Sequence, residues 1–353
     1  MQAFSCRPSF DAASVVGYAS DHVRSWLSRQ NAQVPDGDHL TLRMYDVKLV
    51  RERERRLPGR TSEAGQTMSA FISALLKTPA ERRLASPPLL RDVQRLKVQF
   101  PNFSEAVDVL ARATALANLS PTTSPKFAPL LLVGAPGIGK TEFARASARI
   151  LGVEFHVLQF AHATGSFSLG GLDLQYSNGG PGWLARTVGL SSSADPIVLL
   201  DEIEKARSEN YDPCSALFSL WDDSAAAFVD DGLKFPLDFS AIRWMGTCNN
   251  TSGLHPALVS RCTVVEAPAP THTQAAEIAK RIYASLLANA PWGRHFEPDL
   301  RPDVLEVLAR QLPRDIKKQL TAALGHAALR GQRHLSATDL AGKTRGRRMG
   351  FLP

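Results

Sequence analysis

Eight residues near the middle of the chain, Gly134-Ala-Pro-Gly-Ile-Gly-Lys-Thr141, have the types and spacing needed to hold a phosphate group. Glycines let a loop close with its backbone N–H groups pointing inward, and a helix that starts at the end of the loop adds its positive terminus. Gly134, Ala135, Pro136, Gly137, Ile138, Gly139, Lys140 and Thr141 are therefore the expected contacts of a nucleotide. Lys140 would reach the β- and γ-phosphates, and the Thr141 hydroxyl would ligate Mg²⁺. Further along, Ile197-Val-Leu-Leu-Asp-Glu202 is an apolar run that ends in two carboxylates. At a strand's C-terminal end Asp201 would hold the Mg²⁺, directly or through water, and Glu202 would orient and deprotonate an attacking water. The chemistry implied is Mg²⁺-dependent hydrolysis of a nucleoside triphosphate.

These groups need elements to position them. Leu130-Leu-Leu-Val133 is a short continuous apolar run of the kind found in a strand buried on both faces of a parallel sheet. Similar runs at Phe155–Leu158, Ile197–Leu200 and Ile242–Gly246 alternate with helical or loop segments, which predicts an α/β core. A helix is predicted from Glu142 to Leu151, after the phosphate loop, and another from about Ser104 to Leu119 with Ser104 as its N-cap. After Pro270 the strand signal stops and helical patterns follow at about Thr273–Asn289, Asp303–Gln311, Arg314–Arg330 and Ser336–Leu340. The fold class expected is a P-loop NTPase parallel sheet with a C-terminal helical lid and a mostly helical N-terminal region. The divisions are a helical targeting region over 1–100, a helix and linker over 101–125, an α/β ATPase core over 126–270, a lid over 271–342 and a basic tail over 343–353.

The 353 residues carry a net charge of +7, unevenly spread: residues 121–300 are acidic overall, and both ends are basic. Such a modest excess is not that of a protein that coats nucleic acid, although the basic ends could meet phosphates. The four cysteines form no CxxC pair, and no apolar run approaches the ~20 residues of a membrane span. The expectation is a cytoplasmic protein with no membrane partner.

Taken together, these residues resemble an AAA+ ATPase, and most closely the ATPase module of Lon proteases. Asp201-Glu-Ile-Glu-Lys205 is similar to Lon's DEIDK, and Tyr211-Asp-Pro-Cys-Ser-Ala-Leu217 to its GDPASALL. Trp244-Met-Gly-Thr-Cys-Asn-Asn250 with His255-Pro-Ala-Leu-Val-Ser-Arg261 is similar to FIATAN and PAPLLDRM, and Glu277-Ile-Ala-Lys-Arg281 recurs in the lid. The resemblance covers about residues 126–342. It implies that Asn249 is the sensor-1 residue, with Asn250 as the alternative, that Arg261 is an arginine finger for a neighbouring subunit, and that Arg314 is sensor 2. Leu312-Pro313 stand before that arginine where the family usually has a glycine. Lon carries a pore-loop aromatic where this chain has Gln175-Tyr-Ser-Asn-Gly-Gly-Pro-Gly-Trp183, so Tyr176 takes the gripping position, with Phe167 or Leu169 as alternatives. Asp230–Phe235 corresponds to the hairpin before sensor 1.

The function implied is an ATP-driven motor, expected to be a homohexameric ring, that remodels or unfolds protein substrates. A DNA-associated AAA+ ATPase and a nucleotide-switched adaptor for a separate protease or effector are the alternatives. Lon's proteolytic domain follows its lid, whereas the sequence here extends only about ten residues past the lid, so no proteolytic activity is expected.

Overall fold

The computed structural model describes residues 40–57, 62–120, 123–163, 165–206 and 212–340. The basic tail, Tyr211 and the amphipathic patch Val23–Leu27 lie outside them. The first elements among the described residues are a short strand β1 (Thr41–Arg43), helices α1 (Val47–Arg55) and α2 (Glu63–Lys77), and strand β2 (Glu81–Arg83), which pairs antiparallel with β1. Helices α3 (Leu90–Gln99) and α4 (Ser104–Ala117) follow.

The central sheet comprises β3 (Leu130–Val133), β4 (Phe155–Gln159), β5 (Ile197–Asp201), β8 (Arg243–Cys248) and β9 (Thr263–Glu266). Between β5 and β8 a two-stranded hairpin forms from β6 (Phe228–Val229) and β7 (Pro236–Leu237). The sheet order is β4-β5-β8-β3-β9, and every neighbour is parallel. Helix α5 (Lys140–Leu151) leaves β3 through the phosphate loop. The lid is built from α6 (His272–Ala288), α7 (Pro302–Leu308), α8 (Pro313–Leu329) and α9 (Ala337–Leu340). It has its own core around Tyr283, Leu308, Ile316 and Leu320.

The apolar runs are continuous because both faces of the sheet are covered. Leu130, Leu132, Ile197, Leu199 and Met245 point to one side, where they pack with Val93, Leu96, Phe103 and Phe143 of the α3, α4 and α5 layer. Leu131, Val198, Leu200 and Trp244 point to the other. Side chains alternate across a strand, so an unbroken apolar strand requires two apolar layers. The second layer includes Met44, Val50, Met68, Phe71, Ile72 and Leu75. Residues 40–57 and 62–83, part of the helical targeting region that the sequence predicts over 1–100, thus contribute side chains to the hydrophobic core of the sheet.

Two details differ from the sequence reading. Strand β9 has no apolar run to announce it, because it lies at the sheet edge and of its four residues only Val265 is buried. Ser104 is the first helical residue of α4 and not its cap, since the N-cap position falls on Phe103, which makes no side-chain capping bond. Among the described residues no helix is long and apolar enough to cross a membrane.

The bottom of the sheet is tied by a buried ion pair, Arg243–Asp195, at 2.9 Å with both side chains almost wholly enclosed. The Arg243 Nε donates to the Pro125 carbonyl at 2.6 Å, and Asp195 Oδ2 also accepts from Ala85 N at 2.7 Å and from the Ser124 hydroxyl at 2.9 Å. The pair therefore joins β8, the loop before β5 and the connection into β3. Asp195→Ala would leave a buried guanidinium without its carboxylate and should lower the unfolding free energy by about 3–5 kcal/mol, measured by urea denaturation.

Candidate nucleotide site

The site forms at the C-terminal edge of the sheet. Because β3 lies beside β8, and β8 beside β5, the loop after β3 and the carboxylates after β5 are brought to the same edge. Asp201 is the junction. Its Oδ1 accepts from the Thr141 hydroxyl at 3.3 Å and from the Thr247 hydroxyl at 2.6 Å, while Oδ2 accepts from Gln159 Nε2 at 3.1 Å. Thr141 and Asp201 thus meet as hard oxygen donors, a set that suits Mg²⁺, which takes one or two protein oxygens and fills its other positions with water and phosphate.

The phosphate loop has the conformation its glycines permit. Gly137 and Gly139 adopt φ of 82° and 106°, in the left-handed region that L side chains rarely enter. Gly139 directly precedes α5. The Nζ of Lys140 donates to the carbonyls of Gly134 at 2.5 Å and Ala135 at 3.1 Å, and to Asn249 Oδ1 at 3.4 Å. Burial pulls the Lys140 pKa below the usual lysine range, and the nearby Glu204, Asp201 and Glu202 carboxylates oppose that shift. Asn102, buried in the 3₁₀ turn Pro101–Phe103 just before α4, donates from Nδ2 to the Ile138 carbonyl of the loop at 3.4 Å and to the Pro268 carbonyl before the lid at 3.2 Å.

Glu202 occupies a left-handed backbone conformation, φ 57° and ψ 48°, which costs a side-chain-bearing residue about 1–3 kcal/mol. Its N–H donates to the Thr247 hydroxyl at 2.9 Å, and its carboxylate pairs with Lys205 at 2.8 Å. Of the two asparagines, Asn249 is the one within reach of Lys140. Asn250 is exposed and caps a turn by accepting from the Ser252 N–H and hydroxyl.

Arg314 meets the loop through its backbone: its N–H donates to the Gly137 carbonyl at 3.2 Å. A methyl group on Gly137 would lie only 3.3 Å from the Arg314 Cβ. Pro313 fills the first turn of α8, a position that wastes no N–H. Arg261 makes its contacts elsewhere: its guanidinium donates to the Ala257 carbonyl at 2.9 Å, lies 5.4 Å from the Phe218 ring centroid and sits 3.9 Å from Asp222.

Tyr176 stands at the tip of a loop closed by a bridge between Leu172 and Gly180, and it is 53% exposed. Of the alternatives, Leu169 is buried and Phe167 partly so. Asp230 fastens this loop to the β6–β7 hairpin by accepting from the Gly182, Gly232 and Leu233 N–H groups at 2.8, 2.9 and 3.0 Å. Burial pushes its pKa up to about 6, against those three donors. Lys234 adds an ion pair to Asp173 at 2.9 Å.

The sequence reading did not assign Thr247, Gln159 or Glu204. Each carried a faint signal: a polar residue inside an apolar strand, the residue that follows a strand run, and the third acid of a motif whose first two carboxylates had roles.

With this geometry in place, residues 130–268 match the family "ATPase family associated with various cellular activities (AAA)" and form an AAA ATPase domain. The curated relatives include the peroxisomal Lon protease homolog 2 of Danio rerio, 35% identical over 157 residues that make up 43% of this chain and 18% of that one. The Lon protease of Flavobacterium johnsoniae is 32% identical over 154 residues, 43% of this chain and 19% of its own. The chain thus spans less than a fifth of the length of these relatives. Among solved structures, the RuvB Holliday junction branch migration motor of Thermotoga maritima aligns with a TM-score of 0.48 at 17% identity, covering 69% of this chain and 67% of that one.

Asp230→Ala would strip three buried N–H groups of their acceptor at about 1–3 kcal/mol each. The expected outcome is faster proteolytic cleavage between Leu172 and Trp183, read by limited proteolysis and mass spectrometry.

Proposed function

We propose that this chain is an ATP-hydrolysing AAA+ motor that works as a ring and remodels protein substrates. One observation carries the reading: Lys140, Thr141, Asp201, Glu202 and Asn249 converge at one edge of the sheet, while the Arg261 contacts lie elsewhere, with Ala257, Phe218 and Asp222. In this reading Lys140 and the loop N–H groups hold the phosphates, Glu202 takes the proton of the attacking water, Asn249 senses the γ-phosphate and Arg314 responds from the lid. Mg²⁺ held by Thr141 and Asp201 would supply charge neutralisation on the phosphates.

A guanidinium that serves a neighbour needs a neighbour, and this favours a homo-oligomer, for which the family resemblance implies a hexameric ring. A trans-acting arginine is worth about 10³–10⁵ in turnover. Tyr176 offers an exposed aromatic ring that contacts an extended chain with little sequence preference, and Asp230 and Lys234 give its loop a firm base.

Glu202→Gln should abolish ATP hydrolysis and spare ATP binding, and Arg261→Ala should also lose turnover. Mixing the two inactive variants should restore hydrolysis, because one supplies the arginine and the other the base. Persistent turnover in both variants, or no recovery on mixing, would overturn the assignment.

Tyr176→Ala should remove stimulation of hydrolysis by an unfolded protein. If duplex DNA stimulates instead, with a steep salt dependence, the substrate is nucleic acid.

A further inference from the structure

Glu204 lies in the 3₁₀ turn Ile203–Lys205 that follows β5. Its Oε1 accepts twice from one residue, from the Asn249 main-chain N–H at 3.0 Å and from Asn249 Nδ2 at 2.8 Å. An ionised carboxylate can only accept. The amide NH₂ must therefore face Glu204, and the amide oxygen is left facing Lys140, whose Nζ donates to it at 3.4 Å. An isolated asparagine has two ways to present its amide, and here the neighbouring carboxylate selects one. The turn after β8 closes over the arrangement, since a methyl on Gly253 would stand 3.5 Å from the Glu204 carbonyl oxygen.

We infer that Glu204 is a positioning residue of the phosphate site, acting through Asn249: it fixes the amide so that an acceptor faces the Lys140 ammonium. Glu204 does not itself touch the phosphates in this scheme. The Asn249 contact is the longest of the three that Lys140 makes, so it is the one most readily exchanged for a phosphate oxygen. After that exchange Asn249 keeps both bonds to Glu204, and its orientation is preserved. The Glu204 carboxylate also counts among the charges that oppose the downward shift of Lys140. The inference rests on the ATP-hydrolysis reading above.

The test is a double-mutant cycle on the full chain, with ATP turnover and ATP affinity both measured. Glu204→Ala is expected to lower kcat about 10–100-fold, the scale of a misaligned reacting group, with ATP affinity nearly unchanged. Glu204→Ala combined with Asn249→Ala should match Asn249→Ala alone, since the first residue acts through the second. Glu204→Gln keeps an oxygen able to accept both bonds and should recover most of kcat. If Glu204→Ala does not fold, Asn249→Asp sets two carboxylates against each other, and adding Glu204→Gln should raise turnover by replacing repulsion with a hydrogen bond. Additive losses in the cycle, no rescue by Gln, or no gain in the second pairing would overturn the inference while wild-type hydrolysis stands. A wild-type chain that binds ATP without hydrolysing it would overturn the functional reading and this inference with it.

Discussion

The candidate site depends on a single carboxylate. Asp201 has two oxygens, and they receive three donors from three different places: the residue after the phosphate lysine, a threonine in the adjacent strand and a glutamine at the end of the edge strand. Each of those donors is delivered by a separate strand end, so the contacts form together only when β3, β4, β5 and β8 are in the correct register. The ladders fix that register, with Val133 opposite Cys248 and Gln159 opposite Asp201. A charged group inside this edge is tolerated because its lone pairs are taken up. The same carboxylate stands where a divalent ion would bring positive charge among the fixed donors.

Much of this was legible in the sequence for simple physical reasons. Strands β3 and β5 are unbroken apolar runs up to the site, because they are sandwiched between two layers, and the loop and carboxylates sit at their ends. The lid helices carried helical periodicity with Pro302 and Pro313 marking two of their starts. What the sequence hid were partnerships across distance. Met68, Phe71 and Leu75 form an ordinary amphipathic stripe, and nothing in that stripe names the sheet face it covers. Arg82, between two other charged residues, looks like a solvated surface residue but is almost fully enclosed and bonds to the carbonyls of Gly189, Ser191 and Pro79. Glu204 likewise reads as one more acid in a charged turn until β8 brings Asn249 beside it.

The roles suggested by family resemblance divide along the same line. Asn249 and Asn250 are adjacent and chemically identical, and only the geometry distinguishes them: one turns inward toward the lysine and the other caps an exposed turn. Tyr176 and Leu169 were both candidates for contact with a substrate, and exposure separates them. A departure that looked awkward in the sequence, Leu312 in place of glycine with Pro313 next to Arg314, is accommodated because Leu312 is the N-cap in an extended conformation that any residue adopts and Pro313 occupies a helical position where no N–H is needed.

The backbone bond from Arg314 to Gly137 has a mechanical consequence. It fastens the first turn of α8 to the phosphate loop at the point where the loop backbone is most constrained, and Asn102 pins the same loop to the segment leading into the lid. Loop and lid are thus joined twice, directly at Gly137 and through Asn102 at Pro268. A displacement of the lid helices must therefore either carry the phosphate loop with it or break the bond at Gly137.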